Sequence, residues 1–340
     1  MTLITYPTRV HFADGVLEEA LRSELERLSS RTVLFVSDGN VTEDALMDRV
    51  LSGVPSRIST AQVTFSETDN LRDVASQTVK RQELPETIVA FGSSQAIELG
   101  RKIRFGFDQS GARRPALFAV PVVDGLPDPC NRNLESKQAG LPSVVICDPT
   151  VAIGARKSAS LNATVLSLIR CVEAYLSGGY NPPADGMALD GLSRCSANLE
   201  KIGKTAGVAL HREVMAASLN AFLSQEKGVG PVQTMTAQLL KGTKTRDKAA
   251  VARLVLPGVM RARFIDGQKD EVLRKVLSKA GEPLADATDR ILGDVEMPRS
   301  LAALGVSQDA LDSAAQAVVG DAGLTFQHAR NVLEEVYEGL

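Results

Sequence analysis

The sequence predicts an α/β domain built on a mostly parallel sheet, followed by an all-helical domain. Three observations lead there. Short β-rich apolar runs alternate with helical patterns through the first half, strand signals stop after about Asp148, and 340 residues exceed what one hydrophobic core usually organises. The boundary is placed so that residues 1–155 form the nucleotide-binding-like half and 156–340 the helical half.

In chain order, "GVLEEALRSELERL" (15–28) has helical periodicity and "TVLFVSDG" (32–39) is a strand running into an Asp-Gly turn. "NLRDVASQTVKRQ" (70–82) is again helical, and "ETIVAFGSS" (86–94) is a strand ending in small turn residues. "PALFAVPVVDG" (115–125) and "PSVVICDPT" (142–150) are further apolar strands. Alternation of this kind builds βαβ units, with ligands expected at the carboxyl ends of the strands. Beyond the boundary, residues 162–177, 183–202, 207–225, 231–240, 246–263 and 269–281 read as helices. The closing stretch supplies two or three more, with Ser307 ahead of Asp309 suggesting a helix start.

Composition narrows the function classes. With 38 basic against 41 acidic residues and no basic stripe interleaved with aromatics, nucleic acid is not an expected partner. No segment approaches the ~20 apolar residues that span a bilayer, and the first residues lack a charged leader with a long apolar run, so no membrane association and a cytoplasmic location are expected. The four cysteines show no CxxC spacing, which makes buried reduced thiols the default.

One charge stands out. The helix in "ATVLSLIRCVEAYLSGGYNPPADGMALDGL" (163–192) is apolar nearly all round, yet carries Arg170 in its middle. A buried guanidinium must reach water, a carboxylate or a bound anion. On a half-exposed face it would snorkel to solvent; facing a cleft it would serve a ligand.

Several strings resemble the iron-containing (group III) alcohol dehydrogenases, a family that includes the maleylacetate reductases and shares its fold with dehydroquinate synthase. "PTRVHFADG" (7–15) is similar to the family's opening P-x-R-V-x-F-G-x-G, and "RCVEAYLSGGYNPPADGMALDGL" (170–192) follows its H-x-x-E-A-Y-x-S…N-P-x-x-D-x-x-A-L-x-G-L. "VARLVLPGVMRAR" (251–263) and "MPRSLAALGVSQDAL" (297–311) resemble two later family regions. The resemblance implies an NAD- or possibly NADP-dependent oxidoreductase acting on a small molecule between its two halves, and a homodimer, since family members commonly pair through the N-terminal domain.

The family's metal ligands do not carry over. Its Asp and His, four residues apart on one helix face, fall on Leu166 and Arg170; its two further histidines fall on Gln233 and Asp247. The chain's three histidines, His11, His211 and His328, lie elsewhere. Leucine and arginine offer a metal no lone pair, so no metal is expected. Arg170 then stands where a cation would polarise the substrate oxygen, and can supply a fixed positive charge, clamp a substrate carboxylate, or pair with Asp247. Gln233 and Lys137, the latter matching a family lysine near the nicotinamide, are candidate helpers.

For the cofactor, the family's G-G-G-S turn matches "FGSSQAIELGRK" (91–102), which keeps Gly92 and Ser94. The N–H groups of Ser93, Ser94 and Gln95 could hold a pyrophosphate at the helix's positive end, although side chains at Phe91 and Ser93 restrict backbone approach. The next cofactor element appears as "PVVDGLPDP" (121–129), with Val122 and Val123 in place of two threonines and Asp124 adding negative charge. Asp38, just after a strand, matches the acid that holds the adenine ribose hydroxyls, or is an ordinary turn residue. Three readings follow: a metal-independent NAD(P)-dependent oxidoreductase; a catalytically degenerate binding or regulatory protein; or a cleft turned to non-redox biosynthetic chemistry with Asp247 as base.

Overall fold

The computed structural model describes residues 8–38, 44–66, 68–111, 113–122, 140–153, 155–205, 207–241, 243, 245, 247–293 and 295–339. It divides into two compact units, Leu3–Arg156 with Ala206–Met215, and Lys157–Thr205 with Ala216–Leu340. Among the described residues there are six strands and thirteen α-helices.

The first unit is a six-stranded, all-parallel sheet. Its strands are β1 (Arg9–Phe12), β2 (Thr32–Asp38), β3 (Ser59–Phe65), β4 (Thr87–Gly92), β5 (Ala116–Pro121) and β6 (Val144–Cys147). Spatially they run β1-β6-β5-β4-β2-β3. From β2 the chain moves outward to β3, then returns past β2 to lay down β4, so the order reverses between β2 and β4. At such a reversal the helices leave in opposite directions and a crevice opens at the carboxyl ends. The helices of this unit are α1 (Leu17–Arg27), α2 (Asp44–Ser52), α3 (Leu71–Arg81) and α4 (Ser94–Gln109).

The interior strands are near-continuous apolar runs because both faces are covered. On one face Val33, Phe35, Val89, Phe91 and Phe118 pack against Leu17, Leu21 and Leu25 of α1. The expectations omitted β1, β3 and α2, and for the two strands the reason is physical. These are the sheet edges, and their half-exposed sequences "RVHF" and "STAQVTF" lack the apolar run that marks a central strand.

Buried acids tie this unit together. Fully buried Asp148 follows β6 and accepts N–H bonds from Gly15 (2.8 Å) and Leu17 (3.2 Å) while Arg49 of α2 binds it at 2.8 Å. Burial alone would raise its pKa, but the bonds from Thr150, Gly15 and Leu17 hold it below the usual carboxylate value. Glu24 in α1 gathers His11, Arg27 and Arg9 at 2.6–2.9 Å. Burial again opposes ionisation there, and the three partners overcome it to bring the pKa down to about 2.

The second unit comprises α5 (Lys157–Leu176), α6 (Pro182–Asn198), α7 (Val208–Ser224, whose start belongs with the sheet unit), α8 (Pro231–Leu239), α9 (Lys248–Ala262), α10 (Gly267–Leu277), α11 (Leu284–Gly293), α12 (Asp309–Gln316) and α13 (Phe326–Glu335). Helix α6 starts one residue before the expected Pro183: Asn181 accepts the N–H of Ala184 at 3.1 Å and Pro182 follows at the first turn. Helix α5 ends where Lys227 and Lys269 donate to the Tyr175 carbonyl at 3.3 and 3.0 Å, cations placed at the negative end of a helix. Helix α9 begins one residue after Asp247, not at Arg246, because Asp247 is its cap. No described helix is long and apolar enough to cross a membrane. Cys147, Cys171 and Cys195 are buried free thiols.

Candidate functional site

At the reversal point Ser37 pairs with Phe91 across β2 and β4, which places Asp38 beside the turn Gly92-Ser93. Gly92 has φ of +122°, a backbone state that side chains disfavour, and it swings the chain from strand into α4. Ser93 is the cap of α4, its hydroxyl accepting the N–H of Gln95 at 3.2 Å. The N–H of Ser93 itself donates to Asp38 Oδ2 at 3.0 Å.

Two of the three amides expected to cradle a pyrophosphate are therefore engaged within the protein, leaving Ser94 at the helix end. Asp38 is only 4% exposed. Its second oxygen, Oδ1, and the hydroxyl of Ser37 are buried with no hydrogen-bond partner among the described residues. Unpartnered polar atoms of this kind are costly to bury. The concern about Phe91 is corrected. Its ring is wholly buried and meets Phe35 edge-on at 6.2 Å between centroids, so its bulk lies in the core beneath the turn. Val122 follows β5, its N–H donating to the Gly92 carbonyl at 3.0 Å; Val123, Asp124 and Lys137 lie outside the described residues.

The helical unit holds the other candidates. Arg170 is 7% exposed in the middle of α5, which removes the half-exposed, snorkelling reading. One turn on, Glu173 is 1% exposed and reaches the start of α8. It accepts the N–H of Val232 at 2.6 Å, the N–H of Gln233 at 3.2 Å and the side-chain amide of Gln233 at 2.9 Å. Burial pushes Glu173 up to about 7, even against these hydrogen bonds and the charge of Arg263. Gly230 makes room for this carboxylate, since a Cβ there would sit 2.5 Å from Glu173 Oε1.

Gln233 is consequently held at both ends: Nε2 donates to Glu173 and Oε1 accepts from Gln225 at 2.8 Å. Its expected role as an oxyanion helper is corrected to that of a strut between α5 and α8. Asp247 also departs from expectation. Its Oδ1 accepts the N–H of Ala250 at 2.9 Å and the amide of Asn162 at 3.5 Å, so the carboxylate caps α9. Leu166 is half-buried on α5. Among the described residues no group of three or more His, Cys, Asp or Glu side chains is disposed to hold a metal ion.

Sequence reasoning used Glu173 only as an alignment anchor and passed over Gln225 and Ser37. For Glu173 a signal existed: an acid flanked by Cys171, Val172 and Ala174 in an apolar helix has no solvent face to occupy.

No protein-family model matches the chain. It is 25% identical over 359 residues, 92% of each chain, to a 4-hydroxybutyrate dehydrogenase of Cupriavidus necator. Two solved structures share the fold. An iron-containing alcohol dehydrogenase from Thermococcus thioreducens superposes with a TM-score of 0.81 at 15% identity, over 99% of this chain and 100% of that one. An NADH-dependent butanol dehydrogenase from Thermotoga maritima superposes with a TM-score of 0.80 at 15% identity, over 99% and 98%.

Proposed function

We propose that this chain, whose homologues and structural neighbours belong to the iron-containing alcohol dehydrogenase family, is an NAD(P)-dependent oxidoreductase that interconverts a small alcohol and its carbonyl compound without a metal. The observation that carries the metal-free part is the donor set. At the four positions matching family ligands stand Leu166, Arg170, Gln233 and Asp247; two have no lone pair to give, Gln233 is spent on Glu173 and Gln225, and Asp247 caps α9. That set does not fit a divalent ion.

A dinucleotide fits the sheet unit better. Asp38, at the carboxyl end of β2, suits a ribose hydroxyl, and the Ser94 end of α4 suits a phosphate. NAD(P)H supplies the hydride when bound. Arg170 provides the positive charge that favours alkoxide over carbonyl as hydride reaches the carbon, and the alkoxide then takes its proton from water. A permanently charged fork also suits a carboxylate, which points to a short hydroxy acid such as the 4-hydroxybutyrate named for the relative. The homodimer paired through the sheet unit belongs to the same reading.

Titration of NADH by fluorescence, elemental assay and turnover of 4-hydroxybutyrate with and without chelator test it together. Expected are saturable NADH binding, no stoichiometric metal and chelator-insensitive activity; bound iron or zinc required for turnover refutes the metal-free mechanism.

A further inference from the structure

Strand β3 closes the sheet on one side, and among the described residues it pairs only with β2. The N–H of Ser59 donates to the Arg31 carbonyl at 2.8 Å, toward β2. Backbone groups alternate along a strand, so those of Ala61, Val63 and Phe65 follow Ser59 inward, and those of Thr60, Gln62 and Thr64 point out of the sheet edge. The same three residues have exposed side chains, while Ala61 and Val63 on the other face are half-buried and Phe65 is 4% exposed.

An edge strand invites pairing with another chain, and soluble proteins blunt such edges with charge, proline, a bulge or shortness. The opposite edge, β1, is blunted in two of these ways. It is four residues long, and its Arg9 and His11 are drawn to Glu24. In β3 none of these devices is present. Its seven residues, "STAQVTF", hold no charge and no proline, its register with β2 is unbroken from Ser59 to Phe65, and Thr, Val and Phe favour the strand.

We propose that the free edge of β3 is a self-association surface, pairing antiparallel with β3 of a second copy about a two-fold axis through Gln62. It gives a surface to the homodimer of the proposed function, the reading on which this inference rests. Gln62 is the midpoint of the strand, so the axis sets it opposite itself, Thr60 opposite Thr64 and Ala61 opposite Val63. Thr60, Gln62 and Thr64 are the positions whose N–H and C=O groups face outward, and each of their pairs exchanges two backbone hydrogen bonds. Polar side chains then meet polar ones on the exposed face and Ala61 meets Val63 on the other, with no like charges opposed. Beyond the strand, the turn entering β3 carries exposed Arg57 and the turn leaving it carries Asp69, so antiparallel pairing brings a basic end to an acidic one. The two copies form one continuous sheet with six strands from each, and the contact consumes the β3 edge of both, so assembly through it stops at two.

The test is sedimentation velocity of the full chain over a range of concentrations, for wild type, Gln62→Lys and Val10→Lys. Val10 is 38% exposed on the opposite edge, so the second variant adds the same charge where no pairing is proposed. Gln62→Cys is treated with dibromobimane, which bridges two thiols a few ångströms apart, as side chains sharing the axis would be. Expected are a wild-type dimer, a dimer dissociation constant raised at least tenfold by Gln62→Lys and unchanged by Val10→Lys, and bridged dimers of Gln62→Cys at a level wild type does not reach. A dimer that survives Gln62→Lys, that Val10→Lys splits, or that gives no bridging at Gln62→Cys overturns the β3 surface and leaves the homodimer standing. A monomeric wild type overturns both. Dimerisation that meets these expectations in a chain that binds no NADH supports the surface and refutes only the oxidoreductase reading.

Discussion

Substituting Glu173 by Gln measures what a buried acid costs this fold. Its pKa rises from the ordinary 4.5 to about 7 in the folded protein, with burial as the leading cause. That displacement corresponds to roughly 3 kcal/mol of preference for the protonated form. The sign follows from proton counting: between pH 4.5 and 7 the folded state holds a proton that the unfolded state has released, so this group's contribution falls as pH rises through that window. Above about pH 8 the whole penalty is present, and below about pH 4 none of it is. Glutamine keeps one acceptor for the Val232 and Gln233 amides but cannot titrate. Urea unfolding of both proteins at several pH values from 4 to 8 should therefore give a difference, variant minus wild type, that shifts in the variant's favour by about 3 kcal/mol as pH increases. Taking the difference cancels every group the two proteins share. A pH-independent difference, or one that grows in favour of wild type, refutes the account of Glu173 as a carboxyl group whose pKa is raised by its surroundings.

Gly230→Ala places a methyl 2.5 Å from the same carboxylate, so overpacking of about 1–3 kcal/mol is expected in thermal or urea unfolding, smaller in the Glu173→Ala background where the space is free. Phe91→Ala removes a fully buried ring and should cost about 3–5 kcal/mol, with NADH affinity of the folded fraction unchanged; tighter NADH binding would show that the ring shields the cofactor after all. Glu24→Gln runs opposite to Glu173 in pH. The wild-type carboxylate, held down to about 2, contributes stability above pH 4.5 that is lost as pH falls through 2, so the destabilisation by the variant should be large at pH 7 and shrink in acid.

Much of the sheet unit was legible because its interior strands are bounded by turn residues and α3 and α4 carry recognisable caps, Asn70 and Ser93. What escaped were the edges. Half-exposed β1 and β3 interleave polar residues that any loop might carry, and only pairing with a neighbour makes them strands. The site was legible in residue identity and not in engagement. Asp38, Ser93, Gln233 and Asp247 could each be picked out by position, yet nothing in the chain announces that Asp38 binds the Ser93 amide or that Gln233 spans Glu173 and Gln225. Those bonds join residues 55 and 60 positions apart in two cases, and sequence periodicity carries no information at that separation. A cavity lined by Arg31, Arg104 and Arg113 was invisible for the same reason: Arg31 precedes β2, whereas Arg104 in α4 and Arg113 in the loop after it lead into β5, and they converge only when the strands align.

The proposed role of Arg170 divides into two that kinetics can separate. If the guanidinium stabilises the developing alkoxide, its interaction exists only as hydride arrives, and Arg170→Met should lower kcat for hydroxy acids and plain alcohols alike. If it clamps a substrate carboxylate, the interaction is already made on binding. The same variant should then raise KM for 4-hydroxybutyrate by roughly a hundredfold, the loss of a charge-assisted pair worth about 3 kcal/mol, and leave 1-butanol, which has no carboxylate, nearly untouched. Arg170→Lys sharpens the distinction. A point charge still serves an alkoxide, whereas a bidentate clamp loses its second hydrogen bond. Burial at 7% exposure makes truncation costly to packing in either case, so the comparison is between substrates on one folded variant. Equal kinetics for Arg170→Met and wild type on both substrates would remove Arg170 from the reaction altogether and leave it as a structural cation.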